Sequence, residues 1–154
     1  MDHRALRIAA IVLAALAMGM HLAHALEFAP KLQWDAATYI AVQSSLYRWF
    51  GVIGPLLEVG ALLLVATLVA KTWRDADARR LPLVSLLALT VALATWALVV
   101  LPANAPLAAW QSSGIAPPDW MAWRDRWQFG QAGIFVIHVV GFVALVAGSV
   151  GRKA

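Results

Sequence analysis

Apolar and polar positions divide this chain into four long apolar stretches: Ala5 to Leu26, Gly51 to Ala70, Leu81 to Ala103 and Ala132 to Gly151. Each is near the roughly 20 residues that a helix needs to cross a hydrocarbon layer ~30 Å thick. One short polar link, Lys71 to Arg80, and two longer connections, about Glu27 to Phe50 and Asn104 to Gln131, join them. The pattern predicts an all-α integral membrane four-helix bundle, one domain over residues 1–154. In the first long connection Asp35 reads as an N-cap. Tyr39, Gln43, Leu46 and Tyr47 then recur at the spacing of one helix face, so an interfacial helix is expected there. In the second, Pro117-Pro118-Asp119 reads as a helix start with no later breaker, so the fourth helix should project beyond the bilayer. The first stretch also admits a signal-peptide reading, since Arg4 and Arg7 precede it and Ala23-His24-Ala25 resembles a cleavage site.

Composition agrees with a lipid solvent: 62% of residues are hydrophobic and 13% charged, where a soluble domain carries roughly 25% charge. The net charge of +4 does not point to nucleic acid, because the basic residues sit at helix ends rather than on one continuous face. Arg4, Arg7, Lys71, Arg74, Arg79, Arg80, Arg152 and Lys153 fall on one side, and Lys31, Arg48, Arg124 and Arg126 on the other. Eight against four predicts an inner (plasma) membrane protein with both termini and the Lys71 to Arg80 loop in the cytoplasm. With no cysteine, thiolate ligands and thiol redox chemistry are excluded.

The candidate chemistry gathers in the outer half of the bundle. On the first helix His21, His24 and Glu27 are three residues apart, so they share a face. Glu58 lies inside the otherwise apolar second span just after Gly54-Pro55, where a carboxylate needs a partner. Asn104 ends the third span, near Trp96. Arg124, Trp127, Gln131 and His138 form a polar and aromatic stripe on the fourth helix that should face the bundle. Each element also has a plainer reading. The histidines can be interfacial or structural, Glu58 a satisfied carboxyl or the partner of an arginine, and Trp34, Trp49, Trp110, Trp120, Trp123 and Trp127 an aromatic belt. A guanidinium reaches several ångströms, which predicts a contact from Arg124 or Arg126 to Glu27 or Glu58. At least three of His24, Glu58, Asn104, Arg126 and Gln131 should share one cavity.

The run His24-Ala-Leu-Glu27-Phe-Ala-Pro30-Lys31, then Tyr39 with Gln43 and Leu46-Tyr47, then Pro102-Ala-Asn104, then Trp123-Arg124-Asp-Arg126-Trp127, resembles the anthrone-oxygenase-like family of small four-helix membrane proteins. The likeness covers almost the whole chain. Where the family pattern continues Arg-Trp-Glu-x-x-His, this chain has Arg126-Trp127-Gln128-Phe129-Gly130-Gln131, with amides in place of an acid and a histidine. The resemblance implies a cofactor-independent monooxygenase, without flavin, that turns the activated CH2 of a phenolic or anthrone-like molecule into a carbonyl with O2. It further implies His24 as base, oriented by Glu27 or Glu58, and Arg126 or Arg124 on the phenolate oxygen. Asn104, Gln131 and Trp127, with Tyr39 and Gln43, would position the ring. Two other classes stay open. One is a haem or metal redox protein using His21, His24 or His138, although the first two sit near the boundary and His138 deeper. The other is a transporter or accessory subunit.

Overall fold

The computed structural model describes residues 3–150; Gly151, which closes the fourth expected span, and the basic residues Arg152 and Lys153 lie outside the described residues. Helix α1 (His3–Leu26) is followed by two short helices, α2 (Phe28–Gln33) and α3 (Ala36–Leu46). Then come α4 (Phe50–Thr72), α5 (Ala76–Thr95), α6 (Leu101–Ser113) and α7 (Trp120–Val150), with residues Trp96–Val100 winding as a π turn between α5 and α6. Four of the resulting helical stretches are long and apolar enough to cross a membrane. They form an all-α up-and-down bundle in which α1 packs on α4, α4 on α5, α5 on α7 and α7 back on α1.

The buried face of α1 is Leu6, Ala10, Ala14, Ala17, His21 and His24, at steps of four or three residues. Its small side chains bring α1 close to its neighbours. Leu6, Ala10, Ala14, Ala61, Val65, Leu68, Leu89 and Leu145 form the apolar core of the half of the bundle nearer the termini. On α5 and α7 the close approach is at Gly141, where an added Cβ would come 3.0 Å from the Ala88 Cβ. Outward positions such as Ile8, Val12, Leu16, Leu56, Leu63, Leu87, Val136 and Val140 are exposed and apolar, as lipid contact requires.

The half distant from the termini differs from expectation in two respects. The third helix does not end at Ala103. It passes through the π turn and continues to Ser113, where Gly114, at φ 70°, closes it by donating its N–H to the Trp110 carbonyl. The second connection therefore shrinks to residues 114–119. Second, the helix expected after Asp35 is present, with Asp35 accepting a hydrogen bond from the Thr38 N–H at 2.7 Å, but it is docked as part of a cap. Tyr39 is fully buried against Trp110 and Trp120, whereas Leu46, placed by periodicity on the same face, is exposed.

Candidate functional site

Glu58 faces the bundle interior and binds two helices at once. Its Oε1 accepts from His21 Nε2 at 2.7 Å, and His138 Nε2 lies 2.9 Å from the same oxygen without the alignment of a hydrogen bond. His21 Nδ1 meets the Gln131 Oε1 at 2.7 Å. The His21 and His138 rings are stacked with centroids 4.9 Å apart, so the two histidines share one depth rather than differing by a turn. Helices α1, α4 and α7 thus converge on one carboxylate, and a lipid-facing Glu58, which would cost about 2.5 kcal/mol or more, is avoided. The stacked rings also leave no room for a porphyrin between them, since axial imidazoles stand on opposite faces of the macrocycle.

Above this cluster lies a cavity of about 460 Å³. Its floor is His21, Glu58 and Gln131, its walls include the aromatics Tyr47, Phe50, Trp96 and Trp127, and polar groups return at its far side as Gln43, Asn104 and Gln111. His24, Glu58, Asn104 and Gln131 line it together; Arg126 does not. The rim residues that are exposed belong to α4 (Gly51, Pro55, Val59) and α6 (Ala108, Gln111), two helices that scarcely touch, so the cavity opens sideways between them.

Each candidate residue has a definite place. His24 is buried in an aromatic box of Tyr47, Phe50 and Trp127, all with centroids within 5.0 Å, and its Nδ1 has no partner. Neither carboxylate orients it, because Glu58 is taken by His21 and Glu27 pairs with Lys31 at 2.9 Å. The Trp127 Nε1–H donates to Asn104 Oδ1 at 3.1 Å, tying α7 to α6 beside the cavity. Gln43 accepts from Lys31 at 3.0 Å, and Tyr39 sits outside the cavity with its hydroxyl 3.5 Å from Gln128 Nε2.

The expected arginine to glutamate contact is not formed. Arg124 is inward, as its stripe implied, but bonds its neighbour Asp125 at 2.8 Å and stacks over Trp120. Arg126 is exposed and donates to the carbonyls of Val99 and Leu98, each at 2.9 Å. Pro102, four residues after Leu98, has no N–H for that carbonyl, and the π turn disturbs the ladder beside it. Arg126 gives both carbonyls a charged donor from α7.

Sequence reading overlooked Lys31 as more than a topology charge. It is fully buried, with its ammonium 3.8 Å from the Tyr47 ring centroid and bridging Glu27 and Gln43. The Glu27 to Lys31 spacing of i, i+4 was the available signal. The tryptophans are not a uniform belt: Trp110 and Trp127 are buried and Trp49 is exposed. Taken together, fold and site describe a multi-pass helical protein with a laterally open, aromatic cavity floored by a buried His, Glu, His cluster. Comparison with protein families, curated proteins and solved structures gives no match to this chain.

Proposed function

We propose that this chain is a membrane-embedded oxidoreductase that takes a small planar phenolic or anthrone-like molecule from the bilayer and oxygenates it with O2. The observation that carries this reading is the cavity itself: apolar, aromatic, large enough for a drug-sized ring system, open toward lipid and ending on buried histidines and a carboxylate. Unfilled polar capacity at its wall supports it. His24 Nδ1 and the Tyr47 hydroxyl are both buried without a protein partner, as groups would be that complete their bonding with a ligand. In the reaction, His24 takes a proton from the activated CH2 while the Tyr47 hydroxyl donates to the oxygen on which enolate charge develops. Dioxygen adds at that carbon and the resulting hydroperoxide loses water, leaving one oxygen atom in the new ketone and the other in water. The oxyanion role assigned to the arginines by the family resemblance thus passes to Tyr47, because Arg124 and Arg126 are engaged elsewhere.

The test is oxygen uptake by the purified protein in detergent with a dihydroxyanthrone. One O2 should be consumed per ketone formed, and His24→Ala should slow the reaction by about 10²-fold or more. A rate no greater than protein-free autoxidation sinks the reading. Full activity retained by His24→Ala would remove His24 as the base.

We also propose that both termini and the loop around Asp75 lie in the cytoplasm and the cavity end outside, a reading supported by the eight-to-four basic bias. Reporter fusions should show Ser112 outside; a cytoplasmic Ser112 refutes the orientation.

A further inference from the structure

Three donor groups of the cluster come from three different helices and converge: His21 from α1, Glu58 from α4 and His138 from α7, with one ligating atom of each lying within 4.8 Å of the others. The nitrogens stand 2.7 and 2.9 Å from the Glu58 oxygen. In an octahedral site with bonds of about 2.1 Å, adjacent donors are about 3.0 Å apart, so small outward shifts of these side chains would admit an ion. The burial of the donors points the same way. His138 is 1% exposed and its Nε2 lies 2.9 Å from the shared Glu58 oxygen. Polar groups buried this deeply are costly unless fully partnered, and an ion bound to all three would partner them.

We propose that His21 Nε2, His138 Nε2 and Glu58 form a two-histidine, one-carboxylate site for a divalent first-row transition ion, iron(II) foremost. This set is the facial triad that leaves open positions on the metal. Those positions would face the cavity, because His21 and Glu58 line its floor while His138 does not line the cavity. Gln131 completes the arrangement: its Oε1 accepts from His21 Nδ1–H at 2.7 Å and fixes the ring, so that an ion displaces the proton on Nε2, the nitrogen facing Glu58. Gln131 is therefore a positioning residue. The site deepens the oxidoreductase reading and rests on it only for what the metal would do, supplying a centre for O2 beside a bound aromatic. The existence of the site rests on the three side chains alone.

The experiment uses the full chain in detergent, stripped with chelator and titrated with Co²⁺ and Fe²⁺ by calorimetry and by the Co²⁺ visible spectrum. One ion per chain is expected, with a Co²⁺ spectrum that changes when a dihydroxyanthrone is added. His138→Gln and Glu58→Gln should abolish binding. Gln131→Ala should weaken it by 10- to 100-fold. The thermal midpoint of the wild type should rise with Co²⁺ while those of folded His138→Gln and Glu58→Gln, checked by circular dichroism, should not. Should either variant fail to fold, the Gln131→Ala titration and the wild-type stoichiometry still decide. Substoichiometric binding by the wild type, or affinity unaltered in Gln131→Ala and in whichever triad variants fold, overturns the site. The two readings separate cleanly. Stoichiometric binding without anthrone turnover removes the function and keeps the site, whereas full turnover by a protein that binds no Co²⁺ or Fe²⁺ removes the site and keeps the function.

Discussion

At the scale of single residues, several of the buried polar groups of this protein hold one another in place. Glu58 is held by His21, His21 by Gln131, and Lys31 by Glu27, Gln43 and the Tyr47 ring. In a low-dielectric interior such chains are worth more than exposed pairs, and breaking one leaves a costly unpaired group. Tyr39 shows the same physics in the cap. Its phenol is fully buried between Trp110 and Trp120, and burial pushes its pKa up to about 12, only partly offset by the Gln128 contact. The folded state thus keeps a proton that the unfolded chain releases near pH 10. The associated stability is whole below pH 10 and is lost as pH rises toward 12, on the order of 2 kcal/mol in total. Tyr39→Phe should remove this alkaline slope while leaving the fold intact at neutral pH. Thermal melts in detergent from pH 9 to 12 check it, and parallel pH profiles for the two proteins would show that Tyr39 is not the group responsible. Spacing alone placed Tyr39 on a helix face, but could not show that two tryptophans from α6 and α7 would close over it.

At the scale of elements, the informative case is the third helix. A reader of the sequence sees Pro102 and Pro106 at the end of an apolar run and ends the span there, since proline lacks a donor and crowds the preceding turn. The protein instead widens one turn into a π turn over Trp96–Val100 and continues, placing Trp96, Asn104 and Ala108 along one side of the cavity. What makes this possible lies far away in sequence: Arg126 on α7 donates to the Leu98 and Val99 carbonyls, and Gly130 lets α7 approach so closely that a Cβ there would meet Val100 Cγ2 at 2.7 Å. Periodicity placed Arg124 inward, which the structure bears out, but it carries no information about which carbonyls lack donors. Arg126→Ala should therefore destabilise the protein by about 1.5–3 kcal/mol, the range for hydrogen bonds from a charged group. Arg126→Lys should recover only part, since an ammonium cannot reproduce the two parallel donors. Pro102→Ala returns an N–H next to Leu98, so the cost of Arg126→Ala should shrink in that background. A double-mutant cycle on thermal stability measures the coupling; strict additivity would mean that Arg126 serves these carbonyls no better than solvent does.

At the scale of the whole molecule, four spans, the inward stripe of α7 and the gathering of polar groups in one half were legible because lipid enforces them: each follows from span length or from the cost of an exposed polar side chain. The shape of the cavity was not legible, because it depends on how α2 and α3 fold back. Lys31, fully buried, pins that cap to Glu27 and Gln43 and closes the end of the bundle above His24 and Tyr47. With that end closed, the remaining opening is the gap between α4 and α6, rimmed by Gly51, Pro55 and Val59 on one side and Ala108 and Gln111 on the other. The two small residues Gly51 and Ala108 leave that rim low. A lipophilic molecule already partitioned into the bilayer would then reach the cavity without crossing water, and its capture should be governed by this rim. Ala108→Trp should slow association of a fluorescent phenolic probe from liposomes by about tenfold or more. Ala109→Trp, on the same helix but off the cavity, should leave it unaltered. Lys31→Met loosens the cap and opens a path from the aqueous side without touching the rim. If Lys31→Met accelerates uptake from the bilayer, or the two tryptophan variants behave alike, the sideways route is wrong and the cap is the gate. If only Ala108→Trp slows capture, the cavity is fed from the membrane, and helices α4 and α6 are its doorposts.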